Sequence, residues 1–171
     1  MRLKLSFGIL AGLAVAGCTP APQSAAELRS AVNGGAFMSQ QTTTKISRNY
    51  SAVVTSVRTG VRKCMNRTVV DEGYASTGYM NATQYYRTEV TYNTKVNSRR
   101  GFTELAMHKR VGNGQTVFGM KQEGFAYVAD IHPASGGTEL KFYGGKFGNG
   151  PINKAVEQWA KGGAIRCPDL P

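Results

Sequence analysis

The longest apolar pattern in the chain lies in residues 48–65. Its apolar side chains recur every three or four positions, as they do on one face of a helix: Tyr50, Val53, Val54, Val57, Val61, Cys64 and Met65. Valine and threonine also alternate between Val53 and Val61, which would suit a strand. Because the segment is longer than a usual strand and contains no turn signal, the pattern predicts a helix.

Alternation with a period of two dominates the second half of the chain. It predicts strands at 85–96, 102–109, 115–122, 124–133 and 138–143. Gly112-Asn113-Gly114 is a typical hairpin turn between the strands at 102–109 and 115–122. Residues 66–84 are polar and predict a loop, with at most a short strand at 68–70, while 36–46 predict a first strand. Short turns between consecutive strands indicate an antiparallel meander.

A second helix is predicted near the C-terminus. Pro151 suits a first helical turn, and Gly162-Gly163 ends the pattern. The apolar stripe between them consists of Ile152, Val156, Trp159 and Ala160. The fold class is therefore α+β: an antiparallel sheet of four to five strands packed against a long N-terminal helix and a C-terminal helix. Trp159 is predicted to be buried there; if it is exposed, it becomes a contact for a membrane or a partner.

The first eighteen residues predict export. A cationic start with Arg2 and Lys4 precedes an apolar run at 5–16, which is too short to cross a bilayer. Val15-Ala16-Gly17-Cys18 then resembles the lipobox of bacterial lipoproteins. The resemblance implies cleavage before Cys18 and acylation of its thiol and amino group, and Thr19 favours the outer membrane. The alternative is an ordinary secretory signal cut after Ala14-Val15-Ala16, which would release a soluble protein.

These features divide the chain into three parts. Residues 1–17 are a lipoprotein signal peptide, and residues 18–35 are the acylated cysteine and a flexible, proline-rich tether. Residues 36–171 form one periplasmic α+β domain. The full chain has 21 basic and 10 acidic residues, and loss of Arg2 and Lys4 leaves a formal net charge of +9. The basic residues are dispersed, which argues against a nucleic-acid tail and favours either an anionic envelope surface or simple solubility.

The two remaining cysteines, Cys64 and Cys167, predict one disulfide, because an even pair in an oxidising compartment is typically bonded. A redox or metal pair is the less favoured alternative, since neither cysteine belongs to a C-x-x-C motif or lies near a cluster of histidines. The two histidines fall in separate predicted strands. Neither a metal site nor a cofactor site is therefore predicted.

Candidate catalytic residues are sparse. Asp130 and His132 share one face of a predicted strand, as a base and its orienting carboxylate would require. Ser135 follows, but it lies in the turn Ala134-Ser135-Gly136-Gly137 and not in a G-x-S-x-G motif. The sequence thus predicts a non-enzymatic protein, with a hydrolase-like site at Asp130 and His132 as the minor alternative. Tyrosine and arginine together are typical of recognition surfaces, which makes Tyr74, Tyr79 and Arg87 candidates for a partner or ligand surface, with Trp159 if it is exposed.

The order of elements after the lipobox is similar to that of BamC-like helix-grip domains of outer-membrane lipoproteins, over residues 36–167. The resemblance implies a helix-grip fold, and a function by analogy only. The lipobox, the tether, the single disulfide-closed domain and the sparse catalytic residues predict a periplasm-facing, lipid-anchored accessory or scaffolding module. The dispersed basic charge predicts contact with another envelope protein or an anionic envelope surface, and not with nucleic acid. The alternative is a pocket between the sheet and the C-terminal helix that holds a lipid or another apolar ligand. A close-packed interface at Trp159 favours scaffolding, and a roomy cavity favours the ligand.

Overall fold

The computed structural model describes residues 21–76, 83–112, 116–117, 120–121 and 123–170. Within these ranges the chain forms three helices and eight strands. In order they are α1 (Ala25–Asn33), β1 (Ser39–Ile46), α2 (Tyr50–Cys64), β2 (Arg67–Ser76), β3 (Thr83–Arg99), β4 (Phe102–Val111), β5 (Thr116–Val117), β6 (Met120–Lys121), β7 (Glu123–Ala134), β8 (Gly137–Gly145) and α3 (Gly150–Ala160). The α+β class predicted from the sequence is confirmed.

Six of the described strands form one antiparallel sheet with the order β1-β8-β7-β4-β3-β2. Helices α2 and α3 cover one face of this sheet, which we call the inner face, and α1 covers part of the other, the outer face. The remaining strands, β5 and β6, pair only with each other. The domain therefore has three layers, with the sheet in the middle.

The inner face carries the main hydrophobic core. The valine stripe of α2 that predicted a helix is buried, with Val53 and Val57 fully inaccessible. Asn49 caps this helix by accepting a hydrogen bond from the backbone N–H of Ser51. Leu105, Ile131 and Leu140 of neighbouring strands pack against the helices. This packing confirms the two predicted helices at α2 and α3. It also explains why residues 53–61 form a helix although valine and threonine alternate there, since the helical spacing puts the valines on the buried face.

The sheet has six strands and not the predicted four to five, mainly because of β2. The ten residues of β2 were predicted to lie in a loop. They instead pair with β3 over their whole length, from Arg67 opposite Tyr92 to Ser76 opposite Thr83. Most of the described side chains of β2 are exposed. Because neither face of this strand is consistently buried, the apolar alternation that signals a strand is missing from its sequence.

The predicted strand at 115–122 is also corrected. Its described residues, 116–117 and 120–121, are the strands β5 and β6, which pair with each other and not with β4. The partner of β4 is instead β7, with Thr103 opposite Ile131 and Arg110 opposite Glu123. The predicted turn residues Asn113 and Gly114 lie outside the described residues. The turn there therefore stays a prediction, and the long-range pairing of β4 with β7 was decided by packing in the sheet.

The long predicted N-terminal helix corresponds to α2, but it is preceded by a shorter helix. The span 18–35, predicted to be a tether, contains α1, whose Leu28 and Val32 are buried against the outer face of the sheet. The fold therefore begins before residue 36. A sequence signal for this helix exists: Ser24 and Glu27 have the spacing of a capping box, and the Ser24 side chain accepts a hydrogen bond from the backbone N–H of Glu27.

Candidate functional site

The segment before α1 is fixed to the sheet. The backbone N–H of Phe125 donates to the carbonyl oxygen of Pro22 at 2.7 Å, and the side-chain amide of Gln23 donates to the carbonyl oxygen of Glu123 at 3.1 Å. Gly124 allows this close approach, since a β-carbon there would lie 2.7 Å from the Pro22 oxygen. Residues 21–24 are thus held against the start of β7, only three positions after Cys18.

Helix α1 is held on the outer face by a cluster of charged side chains. Arg29 donates to Asp130 at 2.8 Å through Nε and to Glu104 at 2.6 Å through a terminal nitrogen. Arg99 donates to the other oxygen of Glu104 at 2.7 Å. Both carboxylates are buried. Two guanidinium groups are therefore paired with two carboxylates, and these ion pairs offset the free-energy cost of burying the carboxylates away from water.

The same cluster accounts for the candidate catalytic pair. Asp130 directs its carboxylate to Arg29, while the His132 ring stacks on Phe102 with centroids 5.0 Å apart. Ser135 lies exposed at the turn between β7 and β8. The structure thus places Asp130 and His132 on one face of β7, as predicted, but the contacts of each side chain are structural.

Replacing Arg29 with methionine should destabilise the protein by about 2–4 kcal/mol, because it leaves Asp130 and Glu104 buried without their shared cation. Urea unfolding of the wild type and the variant measures this difference. Arg58→Met is a matched control, since Arg58 is exposed on α2 and forms no ion pair among the described residues. Equal stabilities of the two variants would contradict a role for the cluster in holding α1.

The cluster also predicts loss of stability in acid. Burial by itself raises the pKa of Glu104, but hydrogen bonds from Arg29 and Arg99 outweigh burial and leave this pKa below its ordinary value of 4.5. The contribution of Glu104 to stability is therefore present above pH 4.5 and is lost as the pH falls through the lower folded-state pKa. The free energy of unfolding measured against pH should decline over that range, and Glu104→Gln should flatten the decline.

The interface between the sheet and α3 is filled by Trp159. Its side chain is fully buried together with those of Ile152 and Val156, and its indole Nε1 donates to the carbonyl oxygen of Arg166 at 3.3 Å. A methyl group at Gly60 of α2 would overlap the indole ring. The predicted burial of Trp159 is confirmed. The alternative assignment of Trp159 to a membrane or partner contact required an exposed ring, and this condition is not met.

The predicted disulfide is confirmed. Cys64, at the end of α2, is bonded to Cys167, and their Cα atoms are 5.0 Å apart. The C-terminal segment has a second attachment next to the bond, where the Arg67 guanidinium donates to the carbonyl oxygen of Pro168 at 2.7 Å. The disulfide therefore joins the end of α2 to a tail that also covers Trp159.

Strands β2 and β3 extend beyond their neighbours as an exposed two-stranded arm, which we define as residues 70–76 and 83–89. Strand β4 pairs with β3 only from Val90 onward. Tyr74 and Tyr85 lie opposite each other on the arm, with ring centroids 5.5 Å apart. Arg87 contacts Glu89 at 3.0 Å on the same strand. Of the predicted surface residues, Tyr74 and Arg87 are thus brought together on the arm, while Tyr79 lies outside the described residues.

A shallow groove with a volume of about 440 Å³ runs along the uncovered part of the outer face beside α1. Its lining is mixed: Asn93, Lys95, Asn97 and Arg99 come from β3, and His108 and Phe125 lie across from them. His108 packs edge-on against Phe125. The groove carries both charged and apolar groups, so its chemistry does not single out one ligand.

Large hydrophobic side chains are exposed mainly at one end of the sheet. Among the described residues they are Phe37, Met38, Val70, Tyr74, Tyr85, Tyr86 and Phe147. On β7, β4, β3 and β2 a row of paired residues crosses the sheet, in which Gly124 faces Lys109, Lys109 faces Tyr92 and Tyr92 faces Arg67, and the exposed side chains of β2 and β3 lie beyond it. On β1 and β8 the last pair is Ser39 with Gly145, about two residues short of the level of Gly124, and Phe37, Met38 and Phe147 lie beyond that pair. We call this the Gly124 end of the sheet.

Comparison with known proteins gives no independent assignment, since no protein-family model, curated protein or solved structure matches this chain. Within the described residues there is no group of three or more His, Cys, Asp or Glu side chains that could hold a metal ion. A membrane-spanning helix is likewise absent from the described residues, where every helix is too short or too polar.

Proposed function

We propose that this protein is a non-enzymatic, lipid-anchored module of the bacterial envelope, with an accessory or scaffolding role at the periplasmic side of the outer membrane. The observation that carries the proposal is the packing of Trp159 against Gly60, which fills the space between the sheet and the helices. A domain with a filled interior acts through its surface. The helix-grip-like arrangement of sheet and helices is part of this proposal.

The lipid anchor rests on the lipobox-like sequence that ends at Cys18. The disulfide between Cys64 and Cys167 agrees with an oxidising compartment such as the periplasm. The formal net charge of +9 after signal cleavage favours contact with an anionic envelope surface or with an acidic face of another envelope protein. The exposed arm, with Tyr74 and Arg87, is the contact surface that the proposal favours.

The alternative function, binding of a lipid or another apolar ligand between the sheet and α3, has less support. The indole of Trp159 occupies the position that such a ligand would need. Organic extraction of the purified protein, followed by mass spectrometry, distinguishes the two functions. A scaffolding module should release no apolar compound in stoichiometric amount. A binding protein should release one, and this compound should be absent from an unrelated control protein purified in parallel.

The anchor itself is testable with Cys18→Ser. Metabolic labelling with a radioactive fatty acid should mark the wild type and leave the variant unlabelled, because the acylated thiol is missing. The double variant Cys64→Ser with Cys167→Ser is the matched control and should keep its label. An intact mass equal to that of an unmodified chain starting at Gly17 would instead establish the ordinary secretory signal.

A further inference from the structure

The position of the exposed hydrophobic side chains relative to the N-terminal segment suggests how the domain meets the membrane. Phe37 and Phe147 are 91% and 70% exposed and lie together at one corner of the Gly124 end, where the backbone N–H of Lys146 donates to the carbonyl oxygen of Met38. The tyrosines of the arm lie at the other edge, on β2 and β3. Exposed aromatic side chains grouped at one end of a domain are typical of a contact surface.

The length of the chain before α1 limits how far this end can be from an acylated Cys18. Pro22 and Gln23 are hydrogen-bonded to the start of β7. Cys18 precedes Ala21 by three positions, so its Cα lies within about 11 Å of the Ala21 Cα even when the chain is fully extended. This step rests on the proposed lipid anchor. It places the surface of the bilayer next to the Gly124 end and leaves no length for a long spacer.

The two hydrophobic corners flank this attachment point. Strands β1 and β2 form the opposite edges of the six-stranded sheet, so the two groups are separated by about 24 Å across the sheet, from five strand spacings of about 4.8 Å. The arm adds a displacement along the strands, since Tyr74 lies beyond Arg67 on β2. Strand β7, to which the N-terminal segment is bonded, lies between them. Protrusions on both sides of an anchor match a flat partner better than a small or convex one.

The charges at the Gly124 end fit an anionic surface. Exposed cations are found at the end of α2, the start of β2, the end of β4 and the loop after β8: Arg62, Lys63, Arg67, Arg110 and Lys146. Helix α2 contains no acidic residue. The acids at this end are Glu89 and Glu123 near the row, Asp169 next to the Pro168 that Arg67 contacts, and Asp71 and Glu72 on the arm, where Glu72 is engaged by Tyr85 and Arg87. The cations therefore lie at the base of the arm and along the rest of this end, and the arm itself carries more acids than cations. Residues 73–86 contain no charged residue at all.

We propose that the Gly124 end is a membrane-docking face. Phe37, Met38 and Phe147 at one edge, and Tyr74, Tyr85 and Tyr86 at the other, enter the headgroup region of the bilayer that holds Cys18. The surrounding lysines and arginines contact anionic phospholipid headgroups, an attraction that salt weakens. Tyrosine suits this position because its ring is apolar and its hydroxyl group remains in contact with water or headgroups. The lipid anchor then orients the domain as well as retaining it.

The experiment uses the acylated, full-length mature protein in vesicles of phosphatidylethanolamine and phosphatidylglycerol, with a fraction of the lipids brominated on their acyl chains. Phe147→Trp and Tyr74→Trp place a fluorescent probe at each hydrophobic edge. Ser135→Trp is the matched control, since Ser135 is exposed at the turn between β7 and β8, at the opposite end of the sheet. The native Trp159 is buried, and its emission is subtracted using the wild type.

Docking predicts that brominated lipid quenches the emission of the probes at positions 147 and 74 and that these probes are shielded from aqueous acrylamide. The probe at position 135 should keep its emission with brominated lipid and should be quenched by acrylamide. Equal responses at all three positions would overturn the proposal. So would shielding from acrylamide without quenching by brominated lipid, because a protein would then cover this end. The intact mass of the same sample reports acylation separately. An unmodified Cys18 would refute the lipid anchor of the proposed function, whereas the quenching of vesicle-bound protein tests the membrane-docking face whether or not Cys18 is acylated.

Discussion

Replacing Trp159 with alanine should lower the free energy of unfolding by about 3–5 kcal/mol, the usual cost of truncating a large core side chain. The whole indole is buried between α3, α2 and the sheet, and Gly60 has no side chain that could move into the space left by it. The variant also loses the hydrogen bond from Nε1 to the carbonyl oxygen of Arg166. Chemical unfolding followed by far-ultraviolet circular dichroism measures the change without the missing fluorophore.

Phe147→Ala is the matched control for this experiment, because it also removes an aromatic ring but from an exposed loop position. Its effect on stability should stay within about 0.5 kcal/mol, as is usual for surface substitutions. In the wild type, the emission maximum of Trp159 should be that of a buried indole. A red emission maximum in the native state, or a Trp159→Ala variant as stable as Phe147→Ala, would contradict the packing.

Removing the disulfide should have an effect of similar size. The bond joins residues that are 103 positions apart, and the chain-entropy model gives about 4–5 kcal/mol for a loop of roughly this length. Cys64→Ser together with Cys167→Ser should therefore reduce the free energy of unfolding by several kcal/mol, most of it through greater freedom of the unfolded chain. Unfolding of the wild type with and without a reductant gives an independent measurement of the same quantity.

Two comparisons separate the covalent bond from the contacts around it. Arg67→Met removes the hydrogen bond to Pro168 but keeps the disulfide, and its effect should be at most about 1.5–3 kcal/mol, the contribution of a single hydrogen bond made by a charged group. Reductant should destabilise the wild type and leave the double serine variant unchanged. A wild type insensitive to reductant, with both thiols free after export, would show that the bond does not form in the cell.

The inner layer of the fold was predictable because its signals are local. The valine stripe of α2 and the Ile152–Trp159 stripe of α3 have helical spacing, and apolar residues recur at every second position of the strands that pack on them, as at Leu105 and Met107 of β4. The positions between them in the middle of β4 and β7 are also buried, because α1 covers that part of the outer face. A side chain that faces this core must be apolar, so the positions of the apolar residues in the sequence predict which side chains are buried. The pairing of Cys64 with Cys167 was predictable from the number of cysteines and from the oxidising compartment that the first eighteen residues predict.

The outer layer was not predictable in the same way. Helix α1 is short and is held by Arg29, whose partners Glu104 and Asp130 lie 75 and 101 positions away. Three polar residues so far apart in sequence carry no periodic signal, although they form one cluster in the folded protein. The arm is similar: β2 gains its backbone hydrogen bonds from β3 and has no buried face, so its residues resemble those of a loop.

The sequence by itself determined the class of the fold, the two core helices, the buried tryptophan and the disulfide, because apolar periodicity and cysteine pairing follow from burial and chain chemistry alone. Only the tertiary structure decided which strands are neighbours, that residues 21–24 are fixed to β7, and that Phe37, Phe147 and the arm tyrosines share one end of the sheet. These features depend on contacts between residues far apart in the chain, whose free energy is set by the packed sheet and not by any local pattern.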